Sequence, residues 1–293
     1  VIQGNIRNYG TGEVRFEAPQ ITPESTATKP SEVYKPGATL DRTLEYGGKT
    51  VPIYRDRPLN VFSDVDFIWT GEENENQRRL EYLGGEFRTR YGIDVSSFQG
   101  EIDWDAVADD NIDFAMVRVG FRGTGTGSLN TDKYYEQNIR GAMRAGLETG
   151  VYFFAQAVTV EEAIEEADYV ISLLDGLDIN GPVAYDWEMH DSTYRVYGTS
   201  PEMATACAVA FCERIKDAGY TPMVYGGTYV TYMKYDQGAL ADYLSWYPEY
   251  KSEKSEKLCP TLVYHMDYWQ FSSSRAVAGI NGRVDMNIQF IRR

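Results

Sequence analysis

The sequence of 293 residues predicts an α/β fold, a modified TIM-type barrel of the form (β/α)5(β)3 at 89–293 behind a small β-rich N-terminal extension at 1–88. Three observations lead to this prediction. From Arg90 onward, short apolar runs alternate five times with amphipathic stretches. After residue 243, three further apolar runs follow with little helical periodicity between them. The extension has neither pattern and no acids clustered on apolar strands, so we expect it to contain no catalytic group.

The extension is predicted to contain a linker and one hairpin. Residues 18–37, "APQITPESTATKPSEVYKPG", have the Pro-, Ser- and Thr-rich composition of a linker or an extended strip. Residues 43–54, "TLEYGGKTVPIY", place alternating apolar residues on both sides of Gly47-Gly48, which is typical of a two-residue β-hairpin. The charged stretch at 70–85 is predicted to be a connector with one helical turn.

The repeats supply the strands of the barrel. Their apolar runs are "YGIDVSSF", "FAMVRVGF", "TGVYFFAQA", "GPVAYDWE" and "TPMVYGG", which are typical of buried parallel strands. Helical stretches follow them, with start signals such as Ser200-Pro201-Glu202 and a glycine such as Gly219 at the end. The last runs are "YLSWYPEY", "TLVYHMDYWQFSS" and "RVDMNIQFI". Eight strands in about 200 residues are arranged most economically as a closed barrel, in which function lies at the C-terminal strand ends. An open doubly wound sheet is the alternative.

Composition and charge exclude several classes of partner. The chain carries 44 acidic and 28 basic residues, and its formal net charge of −16 repels nucleic acid and anionic membrane surfaces. No apolar run approaches the ~18 residues of a membrane span. Cys207, Cys212 and Cys259 are too few, and odd in number, for a disulfide framework, and we interpret them as small core residues. We expect a monomer.

Four acids fall on the predicted barrel strands: Asp94 in the first, Asp186 and Glu188 at the end of the fourth, and Asp285 in the last. The first and last strands of a closed barrel are neighbours, so we expect the four acids to converge on one mouth. Residues i and i+2 of a strand point the same way, roughly 6 to 7 Å apart along the backbone. Asp186 and Glu188 can therefore serve one ligand, while Trp187 points into the packing layer.

Two carboxyl groups this close in a cleft with apolar walls repel each other as anions. The repulsion should raise the pKa of one and leave the other ionised. Glycoside hydrolysis needs such a pair: a protonated acid for the leaving oxygen and an anion facing the positive charge that develops on the sugar. The spacing therefore favours a glycosidase site.

Several motifs together resemble the lysozymes of glycoside hydrolase family 25: "YGIDVSSFQGEIDWDAV", "FAMVRVGFRG", "GVYFFAQA", "AYDWE", "YWQFS" and "GRVDMN". The resemblance covers residues 90 to 291. It implies a (β/α)5(β)3 barrel without a cofactor, and hydrolysis of the β-1,4 bond between N-acetylmuramic acid and N-acetylglucosamine in peptidoglycan with net retention of configuration. Because the chain begins at Val1 without Met, we expect that a signal or anchor has been removed and that the protein is secreted or held at the cell surface.

Carried over residue by residue, the resemblance implies that Glu188 is the general acid/base and that Asp186 assists the substrate's own 2-acetamido group as internal nucleophile. Asp94 and Asp285 match the supporting acids of the cleft. The wall positions that line the sugar subsites are matched by Tyr152, Tyr225, Trp246, Trp269 and Gln270. The third strand reads "YFF" where the family often has Tyr-His-Phe, and the sixth reads "SWYPEY" where it often has Trp, a small apolar residue and Ala. Both departures affect the shape of the subsites and leave every catalytic acid in place.

Other signals are weaker. "GTGTGS" at 123–128 follows a strand and precedes a helix, but its spacing matches neither nucleotide-binding fingerprint, so we interpret it as a flexible loop at the cleft rim. His190 and Asp191 beside Glu188 suggest a metal site, but the only other histidine, His265, is in a different strand, so we expect no metal. A chitinase-like hydrolase is disfavoured because the chain has no D-x-x-D-x-D-x-E run.

Two classes of function therefore remain. One is an active muramidase that hydrolyses peptidoglycan. The other is a carbohydrate-binding protein that keeps the cleft without turnover. The presence of all four acids favours the enzyme.

Overall fold

The computed structural model of the protein describes residues 7–8, 14–15, 28–37, 39–71 and 78–293. Half of the predicted linker lies outside these residues. The described elements of the extension are β1 (Arg7–Asn8), β2 (Val14–Arg15), α1 (Pro30–Val33), β3 (Leu40–Tyr46), β4 (Lys49–Tyr54), a 3₁₀ turn (Asp64–Asp66), β5 (Phe67–Thr70) and β6 (Arg79–Tyr82). The strands pair in order as β1–β2, β3–β4 and β5–β6, each pair antiparallel.

Two parts of the extension bear on the local predictions. Gly47 and Gly48 join β3 to β4 with φ angles of 57° and 73°, and a type I′ hairpin turn requires positive φ at both central residues. The predicted helical turn is absent from the described end of the charged connector, where Arg79–Tyr82 is a strand, and residues 72–77 of the connector lie outside the described residues. Leu80 on this strand is fully buried and pairs with Trp69 on β5, so core packing decides the local conformation.

The barrel portion begins at β7 and contains helices after each of its first five strands. Its elements are β7 (Phe87–Val95), a 3₁₀ turn (Ser97–Gln99), α2 (Trp104–Asp109), β8 (Phe114–Arg122), β9 (Leu129–Thr131), α3 (Tyr135–Arg144), β10 (Glu148–Ala155), α4 (Val160–Leu173), β11 (Val183–Trp187), α5 (Pro201–Asp217), β12 (Pro222–Tyr225), α6 (Thr228–Met233), β13 (Leu244–Pro248), β14 (Tyr268–Arg275) and β15 (Val284–Arg292).

Eight of these strands form a closed barrel in the order β7-β8-β10-β11-β12-β13-β14-β15, and β15 returns to β7. The barrel prediction is confirmed, and the open doubly wound sheet is excluded. β9 lies outside the ring as an antiparallel partner of β8, so the "GTGTGS" stretch is the loop of this hairpin. Seven barrel strands run parallel, whereas β15 runs antiparallel to both of its neighbours.

The interior of the barrel has two levels. The lower level is apolar and contains Phe114, Met116, Met223 and Tyr268. The upper level, nearer the C-terminal ends of the parallel strands, contains buried polar side chains such as Asp94, Asp186 and Gln270. Because side chains alternate along a strand, each strand that contributes an apolar residue to the lower level can contribute a polar one two positions later.

The extension packs against the outer face of β7, β14 and β15. Phe62 lies 4.4 Å from Phe290 between ring centroids, and Phe67 meets the edge of Trp269 at 5.4 Å. Phe87 at the start of β7 contacts Phe62 at 5.3 Å. This aromatic cluster buries a face of the barrel that would otherwise be exposed.

A buried arginine adds a second attachment. The guanidinium of Arg57 is 5% exposed and donates hydrogen bonds to Gln237 Oε1 and to the carbonyl oxygens of Leu240 and Tyr243, at 3.2 to 3.4 Å. Removing these acceptors would leave a charge buried without partners, which is costly. The extension is therefore an integral part of the fold.

The remaining sequence features are located as follows. Cys207 and Cys212 are fully buried on α5 as free thiols, whereas Cys259 is half-buried in the loop between β13 and β14. Within the described ranges, none of the helices is both long enough and apolar enough to cross a bilayer.

Candidate active site

A cleft of about 340 Å³ opens at the mouth of the barrel, and all four predicted acids line it: Asp94, Asp186, Glu188 and Asp285. No described residue of the extension lines this cleft. A larger cavity of about 430 Å³ lies between the extension and the α5–α6 region. Its described lining does not include any of the four acids, so the chemistry points to the smaller cleft.

β11 places two of the acids in the cleft. Asp186 is an inward residue of the strand and is 5% exposed, whereas Glu188 lies just beyond the strand end. Trp187 between them points outward, is fully buried and donates its indole N–H to the Ala157 carbonyl oxygen at 3.1 Å. This outward anchor keeps Asp186 and Glu188 on the cleft side, as the alternation in the sequence predicts.

The reversed β15 brings Asp285 to the same mouth. Asp285 is near the start of its strand, and in a parallel strand it would lie at the opposite end of the barrel. Because β15 is antiparallel, Asp285 pairs directly with Asp94 on β7. Asp94 Oδ2 accepts hydrogen bonds from Gln270 Nε2 at 2.9 Å and Asn287 Nδ2 at 2.8 Å.

Burial makes these carboxyl groups hard to ionise. It raises the pKa of Asp94 to about 6, although the amides of Asn287 and Gln270 oppose the rise. It also raises the pKa of Asp285 to about 8, and the negative charges of Asp94 and Glu188 add to the effect. Near neutral pH the cleft therefore holds fewer negative charges than its composition suggests.

The pair on β11 departs from the sequence-based expectation, which makes Asp186 the ionised member. In the substrate-free protein, burial and then the charge of Glu188 raise the pKa of Asp186 well above its ordinary value. Burial also raises the pKa of Glu188, but His190 and a hydrogen bond from Asp186 lower it. Asp186 Oδ1 is buried and has no hydrogen-bond partner among the described residues. Burial therefore favours the neutral form of Asp186.

Two basic side chains reach the cleft. Arg118 on β8 forms an ion pair with the buried Asp132 at 2.8 Å and donates to Ser97 Oγ at 3.2 Å. His190 lies 3.2 Å from Glu188, between Nε2 and Oε2. From the sequence, His190 is considered only as a possible metal ligand. His265, the other histidine, stacks on Phe87 outside the cleft, so the two histidines do not converge.

The predicted wall residues Tyr152, Tyr225, Trp246 and Gln270 line the cleft. Trp246 is the centre of an aromatic group, with Tyr225 at 4.9 Å and Tyr152 at 5.8 Å in edge-on contact. Trp246 and Tyr225 are only 3% and 7% exposed, so they present little ring surface to a substrate. Gln270 accepts from the Tyr225 hydroxyl at 3.1 Å while it donates to Asp94.

Trp269 does not lie in the cleft, and its predicted role as a sugar platform is wrong. The ring is fully buried on the outer face of β14, against Phe67 of the extension. Its indole N–H donates to the Glu249 carbonyl oxygen at 3.0 Å. A ring without an exposed face cannot stack on a substrate.

Two exposed aromatic side chains at the rim are not among the residues predicted from the sequence. Phe98 follows β7 and is 84% exposed, with the Arg118 guanidinium 5.1 Å from its ring centroid. Tyr250 follows β13 and is 55% exposed. Both line the cleft. Their positions directly after predicted strands, in "SSFQG" and "WYPEY", are the signal that could have identified them.

A buried network behind β10 holds the strand end that carries Glu188. Gln156 Nε2 donates to the Glu188 carbonyl oxygen at 2.8 Å. The Gln156 backbone N–H donates to Glu166 Oε1, and its carbonyl oxygen accepts from Arg195, both at 3.0 Å. Arg122 pairs with Glu166 at 2.8 Å, and burial nevertheless raises the pKa of Glu166 to about 7. Gln156 is thus held at its backbone and in turn fixes Glu188.

Comparisons with known proteins agree with this geometry. The family model described as glycosyl hydrolases family 25 matches residues 93–280. The autolytic lysozyme of Clostridium acetobutylicum is 26% identical over 197 residues, which is 67% of this chain and 54% of that protein. This chain therefore spans about half the length of that relative. Lysozyme M1 of Streptomyces globisporus is 27% identical over 201 residues, which cover 67% of this chain and 66% of that protein.

Solved structures share the fold. A bacterial lysozyme from Streptomyces coelicolor superposes with a TM-score of 0.54 at 25% identity, covering 68% of this chain and 90% of the lysozyme. The spore cortex lytic enzyme of Clostridium perfringens gives a TM-score of 0.59 at 22% identity over 69% of this chain and 67% of that enzyme. Since the family model spans well over half of the residues and the barrel places four acids at its mouth, this chain belongs to the glycosyl hydrolases of family 25.

Proposed function

We propose that the protein is a lysozyme that hydrolyses peptidoglycan at the β-1,4 bond between N-acetylmuramic acid and N-acetylglucosamine. The reaction proceeds with net retention of configuration and with assistance from the substrate's own 2-acetamido group. The observation that carries the proposal is the convergence of Asp186 and Glu188 with Asp94 and Asp285 in one cleft. Membership of family 25 and the similarity to two lysozymes support it.

Exposure separates the roles of the two acids on β11. The Glu188 side chain is 28% exposed at the rim, where it can reach a bridging oxygen of a bound glycan. Asp186 lies deeper and is nearly fully buried, where it can face the acetamido group of the sugar. Glu188 therefore acts as general acid and then as general base, and Asp186 orients the acetamido group and stabilises its positive intermediate.

The raised pKa of Asp186 adds a step to this scheme. An acetamido N–H that donates to Asp186 favours the ionised form of that carboxyl group. Substrate binding then transfers the shared proton from Asp186 to Glu188, which is the form that can protonate the leaving oxygen. The substrate thereby prepares its own general acid.

The location follows from the substrate. Peptidoglycan lies outside the cytoplasmic membrane, so the enzyme acts as a secreted or cell-surface protein, and we propose that it acts as a monomer. The rim aromatics Phe98 and Tyr250 supply the faces on which sugar rings stack. Arg118 and His190 are the basic groups near the reacting sugars.

Product analysis tests the proposal. Purified peptidoglycan is digested and the muropeptides are examined by mass spectrometry after borohydride reduction. We expect reduced N-acetylmuramic acid at the new ends, and NMR of early products should show the β-anomer. Reduced N-acetylglucosamine would indicate cleavage of the other glycosidic bond. Wall binding without release, in a preparation that is correctly folded, would instead favour the carbohydrate-binding protein.

A further inference from the structure

The "EMHD" stretch after β11 places a histidine against the proposed catalytic acid. His190 Nε2 lies 3.2 Å from Glu188 Oε2, and the side chains are 62% and 28% exposed. The imidazole also meets the ring of Tyr194 edge-on, with 5.3 Å between the ring centroids. Among the described residues, His190 is the only side chain able to become a cation that contacts the Glu188 carboxyl group.

We propose that His190 tunes the general acid: its imidazole, in contact with Glu188 at the cleft rim, stabilises the Glu188 carboxylate and thereby sets the alkaline limit of activity. The inference rests on the proposed role of Glu188. Glu188 must carry a proton to begin the reaction and must be a carboxylate to complete it. A donor that favours the carboxylate therefore lowers the pH above which the enzyme stops.

The surroundings leave this role to His190. Four other acids lie near His190 and Glu188, and a carboxyl group cannot supply positive charge. They are Asp94 on β7, Asp186 on β11, Asp191 on the following loop and Asp285 on β15. The nearby hydroxyl groups belong to Tyr194, Tyr225 and Tyr250. Arg118 on β8 is the other cation of the cleft, and its guanidinium is paired with Asp132.

An imidazole suits this position because its charge ordinarily changes between pH 5 and 8. The protonated ring attracts the carboxylate through charge, and the neutral ring still donates one N–H. The contact thus makes the protonation of Glu188 depend on the charge of His190. A permanent cation or an apolar side chain at this position would remove that link.

A charge series at position 190 tests the proposal through the pH dependence of kcat/KM. His190→Ala removes the donor, His190→Gln keeps a neutral donor, and His190→Lys supplies a permanent charge. We expect the alkaline limb to lie highest in His190→Ala and about 0.5 to 1 pH unit lower in His190→Lys, with His190→Gln and the wild type between them. High salt should narrow the difference between His190→Lys and His190→Gln, because exposed charges are screened. The same limb in His190→Ala and His190→Lys would overturn the proposal.

A matched control separates contact from charge. Ser192→Lys places the same cation on the exposed surface of the same loop, two residues from His190. We expect a shift of the alkaline limb well below that of His190→Lys. An equal shift would show that the general charge of the loop, and not contact with Glu188, controls the limb.

A second readout does not depend on turnover. Carbon-13 NMR follows the carboxyl group of Glu188 through a pH titration, and its signal is identified by its loss in Glu188→Gln. We expect the midpoint to rise in His190→Ala relative to the wild type. An unchanged midpoint would overturn the role of His190 even if the enzyme cleaves as proposed. Normal turnover by Glu188→Gln would instead overturn the proposed function, whatever the titration shows.

Discussion

Gln270 and Trp269 are neighbours on β14 and belong to two different regions of the molecule. Gln270 points into the barrel and donates to Asp94 in the cleft. Trp269 points outward and packs against Phe67 of the extension. The mouth of the barrel is therefore a region where burial raises the pKa of carboxyl groups. The outer face is an aromatic region that stabilises the fold. A single step along a strand separates the two.

Removing the extension should break the aromatic region completely, and this is the largest effect we predict. Deletion of residues 1–85 takes away Phe62, Phe67 and Arg57 and exposes Trp269 and Phe290. Each large aromatic side chain loses about 1.5–3 kcal/mol of burial, and the sum approaches the 5–15 kcal/mol net stability typical of a domain. We expect little soluble, folded protein, measured by yield and by thermal unfolding followed by circular dichroism.

The deletion also tests the placement of the chemistry. The described extension contributes no residue to the cleft lining, so any fraction that does fold should retain turnover. A deletion variant that melts cooperatively close to the full-length protein would show that the aromatic region is dispensable. A folded variant without activity would place a functional group in the extension.

Glu188→Gln should nearly abolish catalysis at the mouth and leave the packing of the aromatic region intact. A positioned general acid is typically worth about 10²- to 10⁴-fold in rate, or roughly 3 to 5 kcal/mol, and Gln has no proton to deliver. Stability should be unchanged or slightly higher, because one of the crowded carboxyl groups is removed. Turnover on cell walls and the melting temperature measure the two effects.

Asp186→Asn is the comparison that distinguishes the two acids. It should also fail on cell walls, because the anion that stabilises the positive intermediate is lost. A substrate with an activated leaving group needs less proton donation, so it should partly rescue Glu188→Gln and not Asp186→Asn. Equal rescue of both variants would contradict the assigned roles.

Trp269→Ala and Phe98→Ala sharpen the contrast between a buried and an exposed aromatic side chain. Trp269→Ala should lower the free energy of unfolding by about 3–5 kcal/mol and leave glycan affinity unchanged. Phe98→Ala should lower glycan affinity by roughly 1 kcal/mol and leave stability nearly unchanged, since its ring is largely exposed. Urea unfolding and calorimetric titration with peptidoglycan oligosaccharides measure them. A loss of glycan affinity in Trp269→Ala, together with a loss of stability in Phe98→Ala, would show that Trp269 contacts the substrate after all.

Asp285→Asn should reveal a smaller cost that the mouth imposes on stability. Burial raises the pKa of Asp285 to about 8 in the folded protein, above its ordinary value of 3.8. A raised folded pKa stabilises the fold at low pH, and this contribution is lost as the pH rises from about 4 through about 8. We therefore expect Asp285→Asn to match the wild type near pH 4 and to be more stable by on the order of 1–3 kcal/mol at pH 9.

The exposed Asp191 supplies the control for this pH dependence. Hydrogen bonds from Thr193 lower the pKa of Asp191, so its ionised form is favoured. Asp191→Asn should show no gain in stability between pH 4 and pH 9, measured by urea unfolding. A similar gain in both variants would trace the effect to overall charge, not to the burial of Asp285.

The sequence predicts the barrel and the four acids because both depend on local pattern. Apolar runs end in Asp94 and Asp186, and the strand ends of a closed barrel meet at one mouth. The side taken by Trp269 depends on the register of β14, and either residue of a Trp-Gln pair can point inward. The direction of β15 likewise depends on closure of the sheet, because the residue pattern of "GRVDMN" does not indicate whether the strand is parallel or antiparallel to its neighbours.

The pKa of Asp186 and the contact between His190 and Glu188 could not be predicted from the sequence, for a different reason. The pKa of Asp186 is raised well above its ordinary value because the residue is deeply buried, and burial is a property of the whole barrel mouth. His190 contacts Glu188 because of the path of an irregular loop. Such a loop has no hydrophobic periodicity from which the contact could be predicted. The sequence predicts a linker and a hairpin in the extension, but the contacts of Phe62 and Phe67 with the barrel depend on the tertiary fold.

The reversed last strand also determines where the chain leaves the barrel. The chain enters the barrel beside Glu86 and leaves it at Arg293, whose N–H donates to the Glu86 carbonyl oxygen at 3.1 Å. Entry and exit are thus one hydrogen bond apart, at the end remote from the cleft. The cleft lies at the opposite end, and no described residue of the extension lines it. The entrance to the proposed active site is therefore shaped by the strand ends and loops of the barrel alone, as far as the described residues show.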